Sequence, residues 1–83
     1  MKELKETAPM MNSLDYKERF LAEYFQLKIR YEKLETMIEN WDAGILKFAP
    51  TCPRAIYNFQ LRAMKDYLDT LIIRAKLENI NLD

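Results

Sequence analysis

The apolar residues of this chain fall into two long series with helical spacing. The first runs Phe20, Tyr24, Leu27, Tyr31, Leu34, Ile38 and Trp41, in steps that alternate between four and three residues. A stripe with that repeat lines one side of a helix and suits packing along a second helix. Leu21, Phe25 and Met37 widen it on one flank, and neither proline nor glycine interrupts it before Gly44. The pattern predicts a helix over about 13–43, with Asn12, Ser13 or Asp15 offering a side-chain oxygen to its free N–H groups. The second series is Tyr57, Leu61, Met64, Leu68, Leu71 and Ala75, again in steps of four and three. It predicts a helix over about 52–78, capped by Thr51 or Cys52 with Pro53 in its first turn, where a missing N–H costs nothing.

Gly44 sits where the first helix should end, because glycine enters the left-handed conformation without steric cost. Asn79 stands at the matching place after the second helix. The connection Ile45-Leu46-Lys47-Phe48-Ala49-Pro50 is apolar for a loop and is expected to pack over the helix ends. Residues 1–11 alternate in charge and include Pro9, so they read as a flexible N-terminal arm ahead of one domain over 12–83. The fold class that follows is all-α: an antiparallel two-helix hairpin. At ~1.5 Å per residue its longer helix would be ~45 Å long.

A lone hairpin has little interior, and chains below about 70–80 residues usually need extra support. Composition removes two of the usual supports. The 83 residues contain no histidine and one cysteine, so neither a zinc cage of the usual kind nor an internal disulfide is available. Self-association is the remaining support, and a helical homo-oligomer is the expectation. The second helix carries a further strip, Ile56, Gln60, Ala63, Tyr67 and Arg74. With Leu21 and Phe25 of the first helix, Gln60, Ala63, Tyr67 and Arg74 are the expected subunit contacts.

Charge and chemistry narrow the function classes. Thirteen basic residues balance thirteen acidic ones, which argues against attachment to bulk nucleic acid or anionic lipid, since both need a basic surplus. One glycine excludes glycine-rich phosphate loops. Cys52 stands at a helix start that would lower a thiol pKa, but no histidine is present to act as its base. Glu32, Glu35 and Glu39 share a helix face, yet a dinuclear bundle site would need Glu-x-x-His. No catalytic residue, metal or cofactor is therefore expected, nor an enzyme. No apolar run is long enough to span a membrane, and no signal peptide opens the chain, so the cytoplasm is the default location.

The first helix interleaves aromatics with cations, a pattern suited to stacking bases and pairing phosphates. Tyr24 and Tyr31 occupy core positions. Tyr16 does not, and could stack a base. Lys28 follows Leu21 and Phe25 along the apolar flank, where it either snorkels or meets an anionic ligand at a subunit seam. Arg30 lies nearby. Arg54, beside the free N–H groups of the second helix, either forms an anion corner or pairs with a neighbouring acid.

Tyr31-Glu32-Lys33-Leu34, the Thr51-Cys52-Pro53 joint, Gln60-Leu61-Arg62-Ala63-Met64-Lys65-Asp66-Tyr67-Leu68, Arg74-Ala75 and the ending Ile80-Asn81-Leu82 resemble a family of short phage proteins described by their relation to a crAss-like phage protein. The resemblance covers about residues 15–82. The architecture is also similar to phage anti-CBASS sponges, small helical proteins that assemble as hexamers and sequester cyclic nucleotide signals of host immunity. Lys28 falls where a sponge lysine could contact ligand, and Gln60 with Met64 looks like the middle of the sponge's second helix. The sponge tyrosine ahead of the first helix has Tyr16 as its nearest counterpart, a few residues later.

The resemblance implies a non-catalytic anti-defence protein in the infected bacterial cell. It would bind a cyclic oligonucleotide at subunit seams through Tyr16, Lys28, Arg30 and Arg54. The alternative is a small helical interaction protein that binds and modulates a host or phage protein through its apolar face and arm.

Overall fold

The computed structural model describes residues 3–83, which form three helices and no strand: α1 (Leu4–Met11), α2 (Tyr16–Asp42) and α3 (Arg54–Glu78). The expected flexible arm is therefore corrected to a helix from Leu4 onward, while residues 1 and 2 of it lie outside the described part. Pro9 stands inside α1, where a proline removes one backbone bond and costs about 3 kcal/mol in an isolated helix. Packing on α2 offsets that cost. Thr7 is fully buried; its hydroxyl donates to the Leu4 carbonyl at 2.6 Å and accepts from Gln26 Nε2 of α2 at 3.0 Å. Ala22, one turn from Gln26 on the same face of α2, is also fully buried. A methyl group there leaves room for α1 to approach closely.

The α1–α2 turn is built from short polar side chains. Asp15 caps α2 by accepting from the Lys17 N–H at 3.0 Å. Ser13 Oγ accepts from the Asp15 N–H and donates to Glu18, each at 3.0 Å. At the other end, Gly44 adopts φ +75°. Its N–H reaches the Trp41 carbonyl at 3.0 Å, and the Ile45 N–H reaches that of Asn40 at 2.9 Å. Those two bonds satisfy carbonyls that the helix end leaves free.

Helix α3 begins at Arg54, two residues later than the pattern predicts. Pro53 is itself the cap, with ψ 142° and no side-chain cap bond, because its carbonyl turns to accept from the Ile56 N–H. Asn79 ends α3 in the left-handed region, at φ 57°.

Contacts between α2 and α3 run in opposite order along the two helices. Tyr16 meets Glu78, Tyr67 meets Glu23, and Trp41 stacks edge-on with Tyr57 at 5.8 Å. Phe20, Tyr24 and Leu27 of α2, Leu71 and Ala75 of α3, and Ile80 beyond it form the core cluster. Leu21 and Phe25, expected at a subunit contact, are half-buried against this cluster in their own chain. The loop also departs from expectation. Ile45 and Phe48 are exposed, because the Trp41 and Tyr57 rings close the helix end and only Leu46, Pro50 and Cys52 are partly covered. No helix is long and apolar enough to cross a membrane, among the described residues.

Candidate functional site

The candidate site is a shallow groove of about 400 Å³ where the middle of α2 meets α3. Arg30, Lys33, Leu34 and Met37 contribute from α2, Gln60 and Met64 from α3, and Leu4 from the start of α1. The spacing explains the gathering. Positions 30, 33, 34 and 37 share one face of a helix, as do 60 and 64. Leu34, Met37, Met64 and Leu4 supply an apolar floor, and Arg30, Lys33 and Gln60 supply polar reach.

The electrostatics of this groove favour an anion. No acidic residue lines it, and among the described residues neither Arg30 nor Lys33 takes part in an ion pair. Leu4 opens α1, whose N-cap Glu3 and first-turn Glu6 are acidic, so the positive character of the groove comes from Arg30 and Lys33 alone. Guanidinium and ammonium groups over apolar carbon suit a ligand with phosphates and flat rings. A larger groove of about 670 Å³ lies on the other side of Leu4. There Glu3 and Glu32 accompany Lys5 and Lys33, so its charge is mixed.

The other residues expected to hold a ligand are placed elsewhere. The Tyr16 hydroxyl donates to Glu78 Oε1 at 2.6 Å and accepts from Arg74 Nη2 at 2.9 Å, while Arg74 Nε donates to Glu78 Oε2 at 3.2 Å. The Tyr16 hydroxyl, first, and Arg74 hold the Glu78 carboxyl below its usual range. That same bond to Glu78 raises the Tyr16 pKa. Arg54 takes the pairing reading: Nε and Nη2 both donate to the Asp42 carboxylate, at 3.1 and 3.0 Å, and Nη1 donates to Asn58 at 2.7 Å. This contact lowers the Asp42 pKa.

Tyr16 and Asp42 are the two ends of a 27-residue helix, ~40 Å apart at ~1.5 Å per residue. Within one chain, Tyr16 and Arg54 cannot hold the same small molecule. Lys28 is half-buried, with Nζ 5.9 Å from the Tyr24 ring centre. Only Arg30 of the four lines the groove.

Among the expected subunit contacts, Gln60 lines the groove, Tyr67 donates to Glu23 in its own chain, Arg74 joins the Tyr16 network, and Ala63 is exposed. Sequence reasoning missed Lys33 and Leu4 as site residues. The 30/33/34/37 spacing could have revealed Lys33; Leu4 opens a short apolar series with Ala8 and Met11, but it fell in the segment read as a flexible arm. Cys52 is a half-buried free thiol. No group of three or more potential metal-ligating side chains gathers among the described residues.

A family model described as Sequestin matches residues 14–77. No curated protein matches the chain, and neither does any solved structure. The matched span contains every groove residue of α2 and α3 but excludes α1.

Proposed function

The chain belongs to the Sequestin family, and from that membership we propose that it acts by sequestration: a non-catalytic phage anti-defence protein that binds a cyclic oligonucleotide immune signal in the infected bacterial cytoplasm. The family's name is compatible with a sequestering role. The observation that carries the choice of ligand is the α2–α3 groove, in which Arg30 and Lys33 stand without an acid above an apolar floor. Arg30 and Lys33 would hold phosphates, Gln60 would bond a base edge or ribose, and Leu34, Met37 and Met64 would lie against the rings. Neutral net charge fits this reading, because a small ligand needs a few placed cations and not a basic surface. Sequestration needs no bond to break, and the absence of histidine from the chain is consistent with binding alone.

Isothermal calorimetry of the folded protein against cyclic di- and trinucleotides tests the proposal, with inorganic pyrophosphate as the phosphate-only control. Saturable binding of at least one cyclic nucleotide is expected, and heating the complex should release that ligand chemically unchanged. Arg30→Ala should weaken binding by about 1.5–3 kcal/mol, the usual size of a charge-assisted contact. No heat with any nucleotide, from protein with an intact helical spectrum, rejects the proposal. A second reading, docking onto a host or phage protein, is favoured by the exposed Ile45 and Phe48 beside the α2–α3 joint.

A further inference from the structure

Helix α1 is fastened to α2 by polar bonds that converge on one side chain. Of the residues of α1 only Thr7 is buried, with Leu4 and Met10 half-buried. Gln26 Nε2 of α2 donates to Thr7 Oγ1 at 3.0 Å and also reaches the Met11 sulfur. Thr7 Oγ1 in turn donates to the Leu4 carbonyl at 2.6 Å, so the residue that opens the helix is tied to the same point.

Little else keeps α1 in place. A helix of eight residues is not stable in water by itself, and Pro9 within it removes a backbone bond. Its first turn has no side-chain cap, whereas α2 has its own cap in Asp15. The core cluster of Phe20, Tyr24, Leu27, Leu71, Ala75 and Ile80 contains no residue of α1. Lifting α1 therefore leaves the α2–α3 pair packed, and a segment with so little apolar burial opens at a cost below that of global unfolding.

The position of Leu4 gives this opening a consequence. Leu4 lines both the groove of about 400 Å³ that holds Arg30 and the neighbouring groove of about 670 Å³, and Lys33 also lines both. Leu4 is thus the partition between them. With α1 lifted, the two become one open trough and the Arg30 groove loses an apolar wall. A ligand that touches Leu4 binds the docked state better and pulls the equilibrium towards it. By linkage, docking of α1 raises ligand affinity by the same factor.

We propose that α1 is a strap that opens independently of the α2–α3 pair, with Thr7 and Gln26 as its latch, and that a nucleotide in the Arg30 groove holds it shut. The ligand rests on the sequestration reading; the opening does not. Thr7 lines neither groove, so it is a positioning residue that acts through Leu4.

Hydrogen exchange of the full chain, with and without cyclic nucleotide, tests the strap. In the free protein the amides of residues 5–11 should exchange at least about tenfold faster than those around Leu27 and Leu71. Thr7→Val keeps the shape and removes the hydroxyl; it should speed exchange in α1 alone, and Thr7→Ser should not. Saturating nucleotide should slow exchange in α1. Thr7→Val should also weaken nucleotide affinity at least about fivefold, with exchange in α2 and α3 unchanged. Amides of α1 that exchange as slowly as the core in the free protein overturn the proposal whatever the ligand does. A nucleotide that binds and leaves α1 exchange unaltered overturns it while the sequestration reading stands. Fast, Thr7-dependent exchange in protein that binds no nucleotide rejects the sequestration reading and supports the opening.

Discussion

The Tyr16 hydroxyl touches a carboxylate and a guanidinium at once, and this decides how the end of the α2–α3 pair responds to pH. Glu78 is held below its ordinary value of 4.5 by Tyr16 and Arg74, and Asp42 below its ordinary 3.8 by Arg54. A carboxylate with a lowered folded pKa stabilises the fold above its unfolded value. That contribution is lost as pH falls through the folded value. The thermal midpoint should therefore hold from neutral pH down to about the ordinary carboxylate values and drop below them. Glu78→Gln keeps an acceptor for Tyr16 and removes the titration. It should shrink the acid-side drop in a midpoint-against-pH series, and an unaltered drop would show that Glu78 contributes nothing. Tyr16→Phe separates two roles. It should lower the midpoint slightly and leave nucleotide affinity unchanged if the ligand lies in the Arg30 groove, whereas loss of affinity would return Tyr16 to the site.

Two elements were readable from the sequence to within a few residues, and their ends show why. Gly44 at φ +75° has no atom within 4 Å of the place a Cβ would occupy. Gly44→Ala therefore meets no clash and should cost only the backbone strain, about 1–2 kcal/mol, measured by urea unfolding. Leu71, fully buried in the α2–α3 core, should cost about 2–5 kcal/mol as Leu71→Ala. A value below about 1 kcal/mol would mean that the core stripe read from Tyr57 to Ala75 is not the packed one.

Helix α1 was not readable for a physical reason. Its buried side chain is a threonine, not an apolar residue, and Pro9 argues against a helix at the level of local propensity. The bond from Gln26 to Thr7 and the small Ala22 hold it, and such long-range partners leave no periodic signal. The same limit governs the site. Arg30 and Gln60 were identifiable as polar residues on apolar helices, but their meeting in one groove depends on the α2–α3 register. Arg54 illustrates the converse: its anion corner is filled by Asp42, twelve residues back across the loop.

At the scale of the whole molecule, the chain is longer and thinner than its size requires. Its radius of gyration is 15.0 Å over 43 × 24 × 19 Å, against about 12 Å for a compact domain of this length. An elongated helical pair keeps one side of each helix in water, and its buried core is correspondingly small. Self-association, the expectation for a chain this short without disulfide or metal support, would make folding and association one equilibrium, with stability that depends on concentration by mass action. A tenfold rise in concentration then adds about 0.7 kcal/mol per chain, which for a domain of this size raises the thermal midpoint by roughly 3–5 °C. Calorimetric scans across two decades of concentration should show that slope. A flat line would mean that α2 and α3 hold each other without help.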